Sequence, residues 1–315
     1  MNPDLHVIFG AGQVGFFLAQ ILLQAGHRVR IVKRSPATVP AEAELMLGDV
    51  ADAAFCYQAC MGAEVVYHCI NPEYSAKIWH ELLPIYLENL IDAAGSVGAR
   101  LVVLDNLYLY GATHGKPMNE NTPINPTSKK GEIRAQLAES LFKAHQQGQV
   151  RAICGRAADF YGPRGNLTFF GDFFWKPALA GKTIMMPLNV DVVHTYHYIP
   201  DVAQGLAALG GAGDHATGQT WMLPCQPAVT TRALAKRFAP YLNHALNIKS
   251  VPGWLLKPLA LVIPMLHELN EMTYQWNEPF IVDDSRFRAE FDVKLVSEEQ
   301  ATQDTVTWAK QNYFA

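Results

Sequence analysis

The chain has 315 residues, half of them hydrophobic, and its formal net charge is −4 with no run of like charge in either half. This length allows a large buried core in one large or two closely joined domains, and the charge pattern excludes an electrostatic surface for nucleic acid or an acidic membrane. We therefore expect a small-molecule ligand. Five cysteines without a CxxC pair and the lack of a signal-peptide pattern predict a cytoplasmic protein with neither a disulfide framework nor a metal site.

The first predicted elements are a strand, a glycine-rich turn and a helix. An apolar run over 5–9 is followed by Gly10, Gly12 and Gly15, and then by a helical apolar pattern through Leu22. Gly10 permits the tight turn, Gly12 lets backbone amides approach a pyrophosphate, and Gly15 lets the helix pack closely on the strand. Because the G-x-G-x-x-G pattern stands between a strand and a helix, it predicts a dinucleotide site.

The end of the second strand bears on the choice of dinucleotide. A β-branched run over 29–32 is followed by Lys33, Arg34 and Ser35, where an acidic residue would favour the ribose hydroxyls of NAD. Two cations and a hydroxyl suit a 2′-phosphate instead, since a guanidinium binds phosphate oxygens in a bidentate pair. The pattern favours NADP over NAD, the alternative being a solvated basic corner.

Strand-length apolar runs then alternate with helical patterns. Such alternation requires parallel strands joined by helical crossovers, and it predicts an α/β fold with a doubly wound, Rossmann-like parallel sheet and a smaller C-terminal substrate-binding domain. We place the dinucleotide-binding domain at 1–165, with 190–218 returning to it, and the substrate-binding portion at 166–189 and 219–315. The further strands are expected at 43–47, 64–70, 100–106 and 150–156, and the helices near 52–60, 74–94 and 128–147.

These landmarks resemble a known family, the extended short-chain dehydrogenase/reductases, also called NAD-dependent epimerases and dehydratases. Besides the glycine turn, the resemblance rests on GDVAD (48–52), LYLYG (107–111), PINP (123–126), GRAADFYGPRGN (155–166), HYIPDVAQGL (197–206) and the tail 283–311. It implies that Asp49 holds the adenine. The predicted cofactor contacts are Gly10, Gly12, Gln13, Val14, Gly15, Lys33, Arg34, Ser35, Asp49, Val50, Ile70 and Asn71.

The resemblance also implies a catalytic site from which this chain departs. In the family a tyrosine acts as acid or base, a lysine four residues later holds the nicotinamide ribose, and an upstream serine or threonine binds the reacting oxygen. The matching positions here are Lys130, Arg134 and Asn106. The chain is therefore similar to the atypical branch of the family, in which this set of residues is degraded.

The residues present suggest replacement roles. The guanidinium of Arg134 cannot act as a base, but its fork could hold the ribose. Neighbouring positive charge would disfavour the charged form of Lys130, which could then exchange a proton with an alcohol; the alternative is a solvated helix start neutralised by Glu132. Tyr108 is a candidate to reach the substrate, and Asn106 could orient a carbonyl oxygen.

Two hypotheses for function follow. The first is an NADP-dependent oxidoreductase or epimerase/dehydratase-like enzyme that acts on a hydroxyl- or carbonyl-bearing small molecule, including a nucleotide sugar. The second is a non-catalytic NADP(H)-binding sensor or structural protein. The resemblance further implies a homodimer through the two long helices, and Arg164 or Lys176 could meet an anionic group of the substrate. Short packed helices are expected over the apolar stretch 254–266.

Overall fold

The computed structural model describes residues 4–251 and 264–313. Its main strands are β1 (Leu5–Phe9), β2 (Arg28–Lys33), β3 (Glu44–Leu47), β4 (Ala63–His68), β5 (Arg100–Asp105), β6 (Arg151–Arg156) and, later in the chain, β11 (Gln219–Met222). Short strands are β7 (Asp159–Tyr161), β8 (Ile184–Met186), β9 (Val193–His194), β10 (Tyr196–Tyr198), β12 (Val229–Thr230) and β13 (Ile248–Ser250).

The helices are α1 (Gln13–Gln24), α2 (Ala53–Cys60), α3 (Ala76–Ser96), α4 (Lys129–Gln146), α5 (Asp172–Leu179), α6 (Ile199–Gly211), α7 (Thr231–Phe238), α8 (Pro264–Asn270), α9 (Ser285–Glu290) and α10 (Glu298–Tyr313). None of these described helices combines the length and the apolar character needed to cross a bilayer. The short helices predicted over 254–266 fall largely outside the described residues, which resume with α8.

The predicted doubly wound sheet is confirmed. Seven parallel strands lie in the order β11-β6-β5-β4-β1-β2-β3, so the chain reverses direction across the sheet between β1 and β4. Alternate side chains of each strand supply two apolar layers. Val7 and Phe9 pack toward α2, α3 and α4, whereas Ile8 packs toward α1 and α6. A sheet of this kind binds ligands at the carboxyl ends of its strands, next to the reversal.

The boundary that we expected at 218 is wrong. The strand β11 lies in the central sheet, where Gln219 pairs with Ile153 of β6, so the returning segment extends to Met222. The division into two domains otherwise stays a prediction. The smaller portion has its own aromatic core, in which Phe174 and Trp175 are fully buried while Phe173 of the same helix is 54% exposed.

The three glycines of the glycine turn differ in whether the fold leaves room for a side chain. Gly10 has a φ of +109°, a backbone conformation that favours glycine. A Cβ at Gly15 would lie 1.8 Å from the carbonyl oxygen of Gly10, because α1 packs directly on the turn. A Cβ at Gly12, in contrast, would meet no atom within 4 Å. Gly10 and Gly15 are therefore required by the fold, whereas Gly12 borders open space.

This difference predicts opposite results for two alanine variants. Gly15→Ala forces α1 away from β1, and we expect its free energy of unfolding to fall by about 1–3 kcal/mol, the usual cost of overpacking. Gly12→Ala should unfold at the same denaturant concentration as the wild type. Urea denaturation followed by circular dichroism measures both. An equal loss in the two variants would contradict the assignment of Gly15 to packing and of Gly12 to a ligand-facing position.

Candidate active site

The glycine turn fits a diphosphate. The first amides of α1 lack helical hydrogen-bond acceptors, as in any helix, and Gly12 leaves the space in front of them open. The side-chain oxygen of Gln13 is buried and has no hydrogen-bond partner among residues 4–251 and 264–313. Because this oxygen only accepts, a ligand hydroxyl, such as one of a ribose, would supply that partner. The open amides of α1 suit the phosphate groups of a dinucleotide, and the oxygen of Gln13 suits a hydroxyl of the same ligand.

The predicted adenosine contacts converge at the carboxyl ends of β2 and β3. Lys33 pairs with Leu47 in the sheet, so Arg34 and Ser35 leave one strand beside Asp49, which follows the other. Arg34, Ser35 and Asp49 are exposed. Both charges act on the phenol of Tyr86: burial and Asp49 raise the pKa of this phenol, and Arg34 lowers it. Val14 and Val50, by comparison, are 3% exposed and belong to the core.

Lys130 is completely buried, which contradicts the solvated helix start. Its ammonium donates hydrogen bonds to the carbonyl oxygen of Glu268 at 3.1 Å, to the carboxylate of Glu268 and to Oε1 of Glu271 at 2.7 Å. The neutralising residues are thus on and beside α8, and not Glu132. These three acceptors use all three ammonium donors, which leaves none for a substrate oxygen.

The same two glutamates tie α8 to the amino ends of two other helices. Glu268 accepts a hydrogen bond from the backbone amide of Ala76, the first residue of α3, at 3.0 Å. Glu271 accepts one from the amide of Lys129, the first residue of α4, at 2.9 Å. Carboxylates are favourable at helix amino termini. This explains how positive side chains at the start of α4 are tolerated in the folded chain.

Arg134 contacts a second polar cluster below the site. Its guanidinium donates to Oδ1 of Asn71 at 2.7 Å and to Oδ1 of Asp105 at 3.3 Å, and it lies 4.5 Å above the ring of Trp79. The other oxygen of Asp105 accepts from Nε of Arg156 at 3.2 Å. Two buried guanidinium groups therefore share one carboxylate. Nε of Arg134 is itself buried and has no hydrogen-bond partner among the described residues.

Tyr108 lies between the two clusters. Its ring stacks on Trp79 with centroids 6.1 Å apart, and its hydroxyl accepts a hydrogen bond from Tyr74 at 3.4 Å, while the ammonium of Lys130 lies 4.6 Å above the Tyr74 ring. Burial raises the pKa of Tyr108 well above its ordinary value, and the nearby Tyr74 and Asp159 raise it further. The phenol therefore keeps its proton at neutral pH. It can donate a hydrogen bond but is a poor base.

Asn106 has a local role in the structure. Its side-chain oxygen accepts a hydrogen bond from the amide of Tyr108 at 3.0 Å and so shapes the turn that follows β5. Tyr110, two residues after Tyr108, is 2% exposed, and its hydroxyl accepts a hydrogen bond from Arg156 at 2.6 Å. The structure thus brings Tyr108 and Arg134 onto Trp79, with Lys130 over the adjacent Tyr74 ring, and uses Asn106 to position Tyr108.

A histidine and aspartate pair was missed at the sequence level. Nε2 of the buried His194 lies 2.7 Å from Oδ2 of Asp159, and Nδ1 lies 3.3 Å from the carbonyl oxygen of Gln275. Both ring nitrogens of this buried imidazole therefore face oxygen atoms of the chain. Asp159 follows β6 as Tyr108 follows β5, and Asp105 pairs with Arg156 in the sheet. Tyr108 and Asp159 therefore occupy equivalent positions after neighbouring strands, and this was the sequence signal that could have identified Asp159 as a site residue.

Comparison with known proteins identifies the family. Residues 7–222 match the model of the NAD dependent epimerase/dehydratase family. The chain belongs to this family. Curated relatives include a UDP-glucose 4-epimerase of Corynebacterium glutamicum, 31% identical over 175 residues that cover 52% of this chain and 53% of that protein. A 3beta-hydroxysteroid-dehydrogenase/decarboxylase isoform 2 of Arabidopsis thaliana is 21% identical over 70% of this chain and 42% of its own. The chain thus spans about half the length of the curated relatives it matches.

Solved structures share the fold across the whole chain. A UDP-glucuronic acid 4-epimerase from Bacillus cereus in complex with NAD superimposes with a TM-score of 0.79 at 15% identity and covers 98% of each chain. A UDP-glucose 4-epimerase of Thermotoga maritima with UDP-glucose gives a TM-score of 0.76 at 16% identity, over 98% of this chain and 99% of that one. In this member of the epimerase/dehydratase family, Lys130 and Arg134, at which we expect the family's tyrosine and lysine positions, are both buried.

The ion cluster around Lys130 predicts a large effect on stability. Lys130→Met leaves two carboxylates beside each other without a cation, and we expect the free energy of unfolding to fall by roughly 3 kcal/mol, near the lower limit for a broken buried pair because the two carboxylates remain partly exposed. Lys143→Met, on the exposed face of the same helix, should change it by less than about 0.5 kcal/mol. Chemical denaturation at pH 7 measures the difference, and similar values for the two variants would refute the role of the cluster.

Proposed function

We propose that the chain is a nicotinamide-dinucleotide-dependent oxidoreductase or epimerase that acts on a hydroxyl- or carbonyl-bearing small molecule. One observation carries the proposal. The open space at Gly12 and the cluster of Tyr108, Lys130 and Arg134 lie at the carboxyl ends of β1 and β5, on the same edge of one sheet. A dinucleotide held at the first position extends along this edge toward the second.

The residues of the cluster have distinct roles in this proposal. The bound nicotinamide supplies or accepts a hydride. Tyr108, which keeps its proton, donates a hydrogen bond to the reacting oxygen of the substrate. Lys130 is held in place by its two glutamates, and the guanidinium of Arg134, which binds Asn71 and Asp105, would hold the ribose. Because Tyr108 is a poor base, the paired side chains of Asp159 and His194 are the better candidates for proton exchange.

The names of the relatives suggest a class of substrate, and the chain itself suggests a compartment and an oligomeric state. Curated relatives and fold neighbours are named for UDP-glucose, UDP-glucuronic acid and hydroxysteroids, so we propose a nucleotide sugar or a similar hydroxyl-bearing molecule. Five free thiols fit a reducing, cytoplasmic compartment. We also propose a homodimer through α3 and α4, which pack on each other, and Ile85 on the outer side of α3 is 43% exposed.

We infer a preference for NADP from the end of β2. Lys33 and Arg34 form no ion pair with any acidic side chain in the described parts of the chain, whereas the cations near β5 and β6 are neutralised. Cations left without a carboxylate are available to a 2′-phosphate. The fold neighbours were solved with NAD, so the preference is a property that we assign to this chain.

The hydrogen bonds of Lys130 favour a second candidate function. Its three donors are all used by glutamates from another part of the chain, which leaves the position of the family's catalytic tyrosine closed to a substrate oxygen. A protein that binds NADP(H) without turnover, as a sensor or a structural element, would have this arrangement. The two functions differ in turnover and agree in dinucleotide binding.

The NADP preference predicts a selective loss of affinity. The double variant Lys33→Ala and Arg34→Ala should bind NADPH at least about tenfold more weakly, the effect of losing charge-assisted hydrogen bonds to phosphate, while its affinity for NADH stays within about twofold. Arg28→Ala, an exposed cation at the opposite end of the same strand, is the control. Calorimetric titration measures all three, and equal wild-type affinity for NADPH and NADH would contradict the assignment.

The proposed role of Tyr108 predicts a loss of turnover. In a panel of UDP-glucose, UDP-glucuronic acid and hydroxysteroids with NADP⁺, Tyr108→Phe should lower kcat at least about tenfold, because the phenyl ring keeps the stacking on Trp79 but donates no hydrogen bond. Tyr57→Phe, at an exposed tyrosine of α2, should not change it. Products are separated by chromatography, since an epimerisation leaves no net NADPH. Dinucleotide binding without turnover on any substrate would favour the second function.

A further inference from the structure

Arg164 adopts a backbone conformation that arginine rarely takes. It lies in the turn that follows β7, where the amide of Gly165 donates to the carbonyl oxygen of Gly162 at 3.2 Å. Pro163 occupies the second position of this turn, and Arg164, at the third, has a φ of +65°. A turn of this kind normally has glycine or asparagine at the third position. Holding a long side chain there costs about 1 kcal/mol or more, so the surrounding structure must maintain it.

The turn directs the Arg164 side chain onto the dinucleotide-binding helix. Its guanidinium carbon lies 4.0 Å above the ring of Phe16. Phe16 is in the first turn of α1, and its amide donates to the carbonyl oxygen of Gly12. Residues four apart share one face of a helix, so the guanidinium lies over the face that begins at Gly12. Arg164 comes from the loop next to the substrate-binding portion but contacts the cofactor side of the cleft.

The positive charge of Arg164 is not neutralised by the chain. Among residues 4–251 and 264–313 the guanidinium makes neither an ion pair nor a hydrogen bond, and partial burial lowers its pKa. The neighbouring start of α1 is also a centre of positive potential. Two positive groups facing the same open space favour a doubly charged anion between them. A guanidinium stacked on an aromatic ring keeps its edge donors free for such an anion.

We propose that Arg164 binds the diphosphate of the dinucleotide and closes the 162–165 turn over the glycine turn. The inference rests on the proposed dinucleotide site and adds a contact that the glycine motif does not contain. It also changes the role expected for Arg164, from an anionic group of the substrate to the cofactor. The contact with Phe16 decides between a substrate role and a cofactor role for Arg164, because Phe16 lies on α1, the helix that follows the glycine turn and packs on the central sheet.

The test measures dinucleotide affinity, which needs no substrate. Calorimetric titrations with NADH, NADPH and ADP-ribose compare the wild type with Arg164→Ala and Arg164→Gly, and we expect both variants to bind all three ligands at least about tenfold more weakly. Arg164→Gly accepts the positive φ without strain and so separates the charge from the turn geometry. The matched control is Arg286→Ala, whose guanidinium lies 4.1 Å above Trp221 on another part of the surface.

Each result decides the proposal. A tenfold loss in both Arg164 variants, with Arg286→Ala unchanged, supports it. Unchanged dinucleotide affinity overturns it and leaves the proposed function intact, as does a loss in Arg164→Ala alone, which would show that the turn and not the charge matters. If the Arg164 variants raise the KM for a substrate that the enzyme turns over and leave dinucleotide affinity unchanged, Arg164 binds the substrate and the proposal is wrong. Failure of the wild type to bind any of the three ligands would overturn the proposal and the proposed function together.

Discussion

The structure of the site depends on how closely α1 approaches the strand before it. With no side chain at Gly15, the helix packs against the carbonyl oxygen of Gly10, and its amino terminus is held at the edge of the sheet. This contact sets the position of the open space at Gly12 and, beyond it, of Phe16, on which Arg164 rests. The ends of β4, β5 and β6 lie along the same edge because all seven strands are parallel. One steric constraint therefore aligns the cofactor end and the reactive end of the cleft.

The cations of the site fall into two groups. Lys130, Arg134 and Arg156 are buried and share the carboxylates of Asp105, Glu268 and Glu271, so their charge stabilises the arrangement of helices and strands. Lys33, Arg34 and Arg164 contact no carboxylate within the described ranges 4–251 and 264–313, and they surround the predicted path of the dinucleotide. A buried cation needs a partner to offset its desolvation, whereas a cation at a binding site keeps its charge for the ligand. The two groups correspond to the supporting and the binding parts of the site.

This division gives a physical account of the departure from the family's catalytic pair. At the positions where we expect the family's tyrosine and lysine, this chain has Lys130 and Arg134, and each is paired with carboxylates or amides of the chain itself. In the proposed function, Tyr108 after β5 donates a hydrogen bond, and proton exchange falls to Asp159, which follows β6, together with His194. Both groups are reached from the same edge of the sheet as the glycine turn.

The sequence by itself determined the sheet, the helices and the dinucleotide turn, because strand and helix periodicity and the spacing of Gly10, Gly12 and Gly15 are local properties of the chain. It also identified Lys130, Arg134 and Tyr108 as the residues to examine. Only the tertiary structure decided their surroundings. Glu268 lies 138 residues from Lys130, and His194 lies 35 from Asp159, so no local pattern relates them. The sequence could not identify the partners of Lys130 for this reason: which carboxylates surround a buried ammonium is set by the fold and not by its neighbours in sequence.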